Sequence, residues 1–136
     1  MSDHNLEPYF TNLVASLSWD ADIGCVYLQW TGNPNDDQYK AVLNAGLDLL
    51  TEKSAATWLS DGRLITVARP LAPDWAKSDW IPRAQAAGMK QLVMVLPKDA
   101  WAQTVATTGV RALFDVFDPQ YFPSVDEARK WISEQG

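Results

Sequence analysis

The chain has 136 residues, 47% of them apolar and 21% charged, which is the balance of one globular domain and excludes a disordered polymer. Seventeen acidic against eleven basic residues leave a net charge of −6. A phosphate-backbone partner and an anionic membrane surface both need a basic face, so nucleic acid is excluded from the expected partners.

The opening "MSDHNLEPYF" has neither a basic stretch nor an apolar core of the kind a secretory signal needs, and no apolar run reaches the length of a membrane span. Cys25 is the only cysteine, which forbids an intramolecular disulfide and fits a reducing compartment. A cytoplasmic location is expected. No repeat or Gly/Ser linker divides the chain, so residues 1–136 are read as one domain with residues 1–8 as a flexible tail.

The first elements read as two strands, Leu13–Trp19 and Cys25–Trp30, flanking the turn-rich "DADIG" in an antiparallel hairpin. After "TGNPNDD", Asn35 or Asp36 offers an N-cap, and Tyr39, Leu43, Leu47 and Leu50 recur at helical spacing. Ala56–Ser60 is the third strand. A helix then runs from Pro73, in its first turn, to just before Gly88; Pro82 inside it predicts a kink or two short helices. Gln91–Pro97 carries five consecutive apolar residues, the signature of a strand covered on both faces. A weaker helix over about Asp99–Ala112 and a short strand at Gln120–Phe122 follow. In the last segment Ser124 and Glu127 have capping-box spacing, and Val125, Ala128, Trp131 and Ile132 share one helix face. The order ββαβαβαβα predicts an α/β fold: an antiparallel pair, then parallel strands joined by right-handed crossovers.

Most catalytic chemistries lack their residues. His4 is the only histidine and lies in the expected tail, Cys25 sits mid-strand without an activating partner, and one His with one Cys cannot hold zinc. No phosphate-cradling glycine motif is present. No metal, no cofactor and no enzymatic activity are expected. In open α/β sheets ligands sit beyond the carboxyl ends of the parallel strands, where Ser60, Asp61 and Arg63 follow the third strand and Pro97 and Lys98 the fourth. Asp61 and Arg63, two apart in an extended segment, point to one side. They form an ion pair that stiffens the crossover, or present the guanidinium to an anionic group, or supply Asp61 for acid–base work.

Seven tryptophans are many for this length. Trp58 and Trp131 read as core. Trp75 and Trp80 are five apart, about 140° around an α-helix. Both cannot face the core squarely, so one is wedged at the sheet edge or lines a pocket or partner surface.

Together "ATWLSDGR", "DW", "DWIPRAQAAGMKQLVMVLP" and "SVDEARKWI" resemble the small bacterial SpoIIAA-like proteins related to STAS domains, with a STAS or CRAL-TRIO-like fold. The resemblance runs from about Val14 to Ile132. It is most specific in Asp61-x-Arg63 and in Trp80-x-Pro82-Arg83-Ala84 followed by Gly88. It implies a mixed sheet with helices on its faces and no established enzymatic activity. The roles it implies are protein binding switched by phosphorylation and binding of apolar molecules or lipids. The switch form has serine directly after the Asp that closes the third strand, whereas Gly62 stands there in this chain. The leading expectation is therefore a non-enzymatic module for an apolar or amphiphilic small molecule, bound through Asp61, Arg63, Trp75, Trp80 and Arg83. The alternative is a protein-interaction module without a phosphorylatable serine, self-associating as a homodimer in one version. An enzyme using Asp61 stands third.

Overall fold

The computed structural model describes residues 5–65 and 71–135. His4 and the first residues of the expected tail lie outside that range, but Leu6–Thr11 does not: it forms a strand, β1, antiparallel to β2 (Ala15–Asp20). The tail reading is thus corrected for Leu6 to Pro8. This edge strand lacks the alternation of a half-buried strand, because Pro8 interrupts it and the register shifts between Pro8 and Phe10. Proline and a bulge are what an edge tolerates and a central strand does not.

The expected hairpin is present, with β2 antiparallel to β3 (Cys25–Trp30). Three parallel strands follow, β4 (Thr57–Asp61), β5 (Gln91–Val95) and β6 (Gln120–Phe122). Their order across the sheet is simply β1 to β6. The fold is the mixed α/β sheet expected, enlarged by one antiparallel strand.

Each helix begins or ends where local chemistry allows. In α1 (Asp36–Lys53) the Asn35 side chain accepts from the Gln38 N–H, while Gln38 reaches back to the Asn35 N–H, a complete capping box. Ser124 accepts from the Glu127 N–H at 3.2 Å at the start of α5 (Val125–Gln135). Between Pro73 and Ala86 the chain does not break at Pro82. α2 (Pro73–Trp75) widens into a π turn (Ala76–Trp80) and continues as α3 (Ile81–Ala86). The Ile81 N–H bonds the Ala76 carbonyl five residues back. Pro82 has no N–H to give the carbonyl four residues before it, and the wide turn just before it joins the two short helices, one of the two outcomes expected there. Gly88, with φ of 103°, follows the helix end as expected. α4 (Ala100–Phe114) ends in a 3-10 turn, Asp115–Phe117.

Side chains alternate across the strands, so the sheet has two unlike faces. On the first, Val26, Leu28 and Trp30 of β3 and Trp58 of β4 pack with Val42, Leu47 and Leu50 of α1, with Trp80 and Ala84, and with Phe114 and Phe117. α1 approaches closely there: a Cβ at Gly46 would stand 2.1 Å from the Trp58 ring, so hydrogen alone fits. On the second face Cys25, Leu59, Val93 and Val95 pack against Ala128 and Ile132 of α5. No helix among the described residues is long and apolar enough to cross a membrane.

Candidate functional site

β4 ends at Asp61, which shares a face with Leu59 two residues earlier, the face covered by α5. Its carboxylate is buried, at 1% exposure, in the manner of a group fully engaged by donors. Arg63 Nε donates to Oδ1 at 2.9 Å and Nη2 to Oδ2 at 2.7 Å. The Arg63 backbone N–H adds a bond to Oδ1 at 3.1 Å, and the Tyr27 hydroxyl donates to Oδ2 at 3.1 Å. These four bonds close the chain into a turn, with the Ile65 N–H on the Gly62 carbonyl. The fork-on-fork geometry is the strong form of an arginine–carboxylate pair.

Electrostatics follow from that geometry. Hydrogen bonding to Asp61 holds the Arg63 guanidinium above its ordinary value. Burial, and then the negative charge of Asp61, push the Tyr27 hydroxyl up, so it stays a protonated donor. The ion pair that the first of the readings expected is thus present. Tyr27 was not identified from the sequence; its signal was its place on β3 opposite Leu59, one strand from Asp61. Ser60 points to the other face with Trp58 and is buried.

The remaining expected residues lie elsewhere. Trp80 is not a rim residue. At 2% exposure it is the centre of the first core, edge-on to Trp58 at 5.4 Å, Phe114 at 6.1 Å and Phe117 at 6.3 Å. Its Nε1–H donates to the Leu43 carbonyl of α1 at 2.8 Å, which satisfies the indole's polar atom inside the core. Trp75 is partly buried against the same core, and Lys40 Nζ stands 5.8 Å from its ring centroid. As expected, the two indoles are not buried equally: Trp80 is core and Trp75 is half-buried, with a π turn over Ala76–Trp80 between them. Arg83 is exposed and committed to Asn44 Oδ1 at 2.7 Å and Asp79 Oδ2 at 2.9 Å. Asp61 and Arg63 therefore come together on one face, while Trp75, Trp80 and Arg83 belong to the helix on the other. The five do not form one pocket.

A second carboxylate of the same kind lies at the opposite end of the sheet. Asp20, closing β2, is buried at 1% exposure and takes Arg129 Nε on Oδ2 at 2.8 Å and Nη2 on Oδ1 at 3.0 Å. The Asp22 N–H completes it at 3.2 Å, and Asp22 itself stands 3.8 Å from the guanidinium. Beside it, burial and the charge of Asp20 raise the Cys25 thiol well above its usual range, which keeps it an unreactive thiol. The sequence held one hint of this pair. Arg129 stands four residues after Val125 and three before Ile132, a charge at the flank of the core-facing stripe. Among the described residues no group of His, Cys, Asp and Glu is arranged to hold a metal ion.

Among the described residues, those presented at the carboxyl end of the parallel strands include Arg63, its side chain 39% exposed, Leu64, 55% exposed, and Lys98 beyond β5, also exposed. Gly62 between Arg63 and β4 is tight: its N–H bonds the Val95 carbonyl, and a Cβ there would lie 3.1 Å from that oxygen.

No family model matches the chain, and no curated protein matches it. Among solved structures it is similar to an uncharacterised protein of the DUF3478 family from Shewanella loihica PV-4, described as having a SpoIIAA-like fold. The match covers 97% of this chain and 98% of that one, with a TM-score of 0.55 and 11% identity. The chain thus has a SpoIIAA-like fold, as its D-x-R and W-x-P-R-A residues led one to expect. The likeness is one of fold.

Proposed function

We propose that this chain is a non-enzymatic interaction module whose partner is another protein, docking at the carboxyl end of the parallel strands around Arg63 and Leu64. The observation that carries this reading is a prepared cation beside an exposed apolar side chain. Asp61 fixes the Arg63 guanidinium through two charge-assisted bonds, yet over a third of that side chain still meets solvent. Ordering a long side chain is a main cost of association, and here it is met before any partner arrives. Arginine held in place beside an apolar contact is a common centre of protein interfaces.

The small-molecule reading loses its main anchor because Trp80 is core and Trp75 lies on the other face of the sheet from Arg63. A second copy of the chain fits this surface less well than a different protein does. A two-fold contact centred on Arg63 sets one guanidinium against its own copy. Gly62 offers no hydroxyl for phosphorylation, so partner exchange here is not switched at that position. The test places a photoreactive amino acid at position 64, and separately at exposed Glu134, in the cells that make the protein. A discrete heterologous adduct from position 64 is expected, absent from position 134 and lost with Arg63→Gln. A small molecule retained in native mass spectrometry, with no adduct at position 64, would overturn the reading.

A further inference from the structure

The two faces of the sheet are held very unequally. The first carries α1, α3 and α4 over a continuous core of aliphatic side chains and four interlocked aromatic rings. The second is covered by α5. Of that helix Ala128 and Ile132 are buried, and Val125 and Trp131 pack partly. β6 passes into α5 through Pro123 and Ser124 alone. Its further ties include Trp131 against Phe122, ring centroids 5.9 Å apart, and the ion pair of Arg129 with Asp20, whose chemistry differs from apolar contact. When a buried ion pair separates into water, both charges regain hydration, so most of the lost attraction is offset. Such a pair fixes where α5 sits more than it resists departure.

We propose that α5 is a separable cover: it opens as a unit well below the free energy of global unfolding and uncovers the strip Cys25, Leu59, Val93 and Val95. The first core and its three helices hold during that opening, because none of their buried side chains contacts this strip's apolar cluster. Local opening of weakly buried elements is a general property of folded chains. Here the burial pattern names the element, and Cys25 reports it. The thiol is fully covered on this face, so it reacts only when the cover leaves.

The test needs only the protein as it is. Cys25 is labelled with Ellman's reagent across a range of urea below the unfolding transition, and global unfolding is followed by tryptophan fluorescence. Labelling is expected to show a urea dependence clearly shallower than the global one, since less surface is exposed. A slope equal to the global slope would overturn the proposal. Ile132→Val then locates the moving part. Trimming one buried methyl of α5 is expected to speed labelling about two- to tenfold. An unchanged rate would mean that the β2–β3 turn opens instead, and it too would overturn the proposal.

Discussion

The two ends of the sheet solve one problem with the same atoms and to different effect. At the carboxyl end Asp61 is clasped by an arginine two residues away, and at the amino end Asp20 by one 109 residues away. The first clasp closes a turn and leaves its guanidinium partly in water. The second joins the last helix to the first hairpin, with Arg129 only 14% exposed. Chain separation and solvent access therefore divide the roles. A local, wet clasp shapes a surface, and a distant, dry one positions an element.

The comparison is broken most easily at Asp20. Asp20→Ala leaves the covered Arg129 guanidinium with only the exposed Asp22, 3.8 Å away, and a loss of about 3 kcal/mol is expected in urea unfolding. The double replacement Asp20→Leu with Arg129→Met is expected to recover most of it, because apolar side chains of similar bulk can replace a buried pair. A single replacement without measurable cost would place the two ends in one class. Tyr27→Phe probes the other end more gently. Asp61 keeps its arginine, so a loss of about 2 kcal/mol is expected for one hydrogen bond to a charged acceptor.

Alkaline pH gives the smallest contrast and tests both ends at once. In the folded chain Tyr27 and Cys25 hold their protons more tightly than when unfolded, chiefly because they are buried. Each contribution is complete below the ordinary value, 9.0 for Cys25 and 10.0 for Tyr27, and is lost as pH rises beyond it. Thermal melts should fall from about pH 9 upward. Cys25→Ser removes the earlier part of the fall and Tyr27→Phe part of the later, with half-buried Tyr39, whose hydroxyl is also pushed up by desolvation, leaving a remainder.

What was legible in the sequence was local. The hairpin over residues 15–30, the Asn35 cap, the Ser124–Glu127 spacing, Gly88 after its helix and the three residues of β6 all depend on neighbours a few positions apart. The Asp61–Arg63 pair was legible for the same reason. β1 was not, since an edge strand containing proline carries little alternation to read. The place of Trp80 was missed because helical spacing says that Trp75 and Trp80 differ in burial without saying which of them is core. Arg129 was missed because nothing in periodicity links a polar residue on the last helix to a carboxylate in the first hairpin.

The most direct test is photo-crosslinking from position 64 in the Arg63→Gln protein, read beside its stability. If the carboxyl-end clasp prepares a binding surface, the heterologous adduct disappears; a stability loss of about 3 kcal/mol accompanies it, because the Asp61 carboxylate stays buried without its guanidinium. An undiminished adduct from protein that is still folded would contradict it and make both clasps structural.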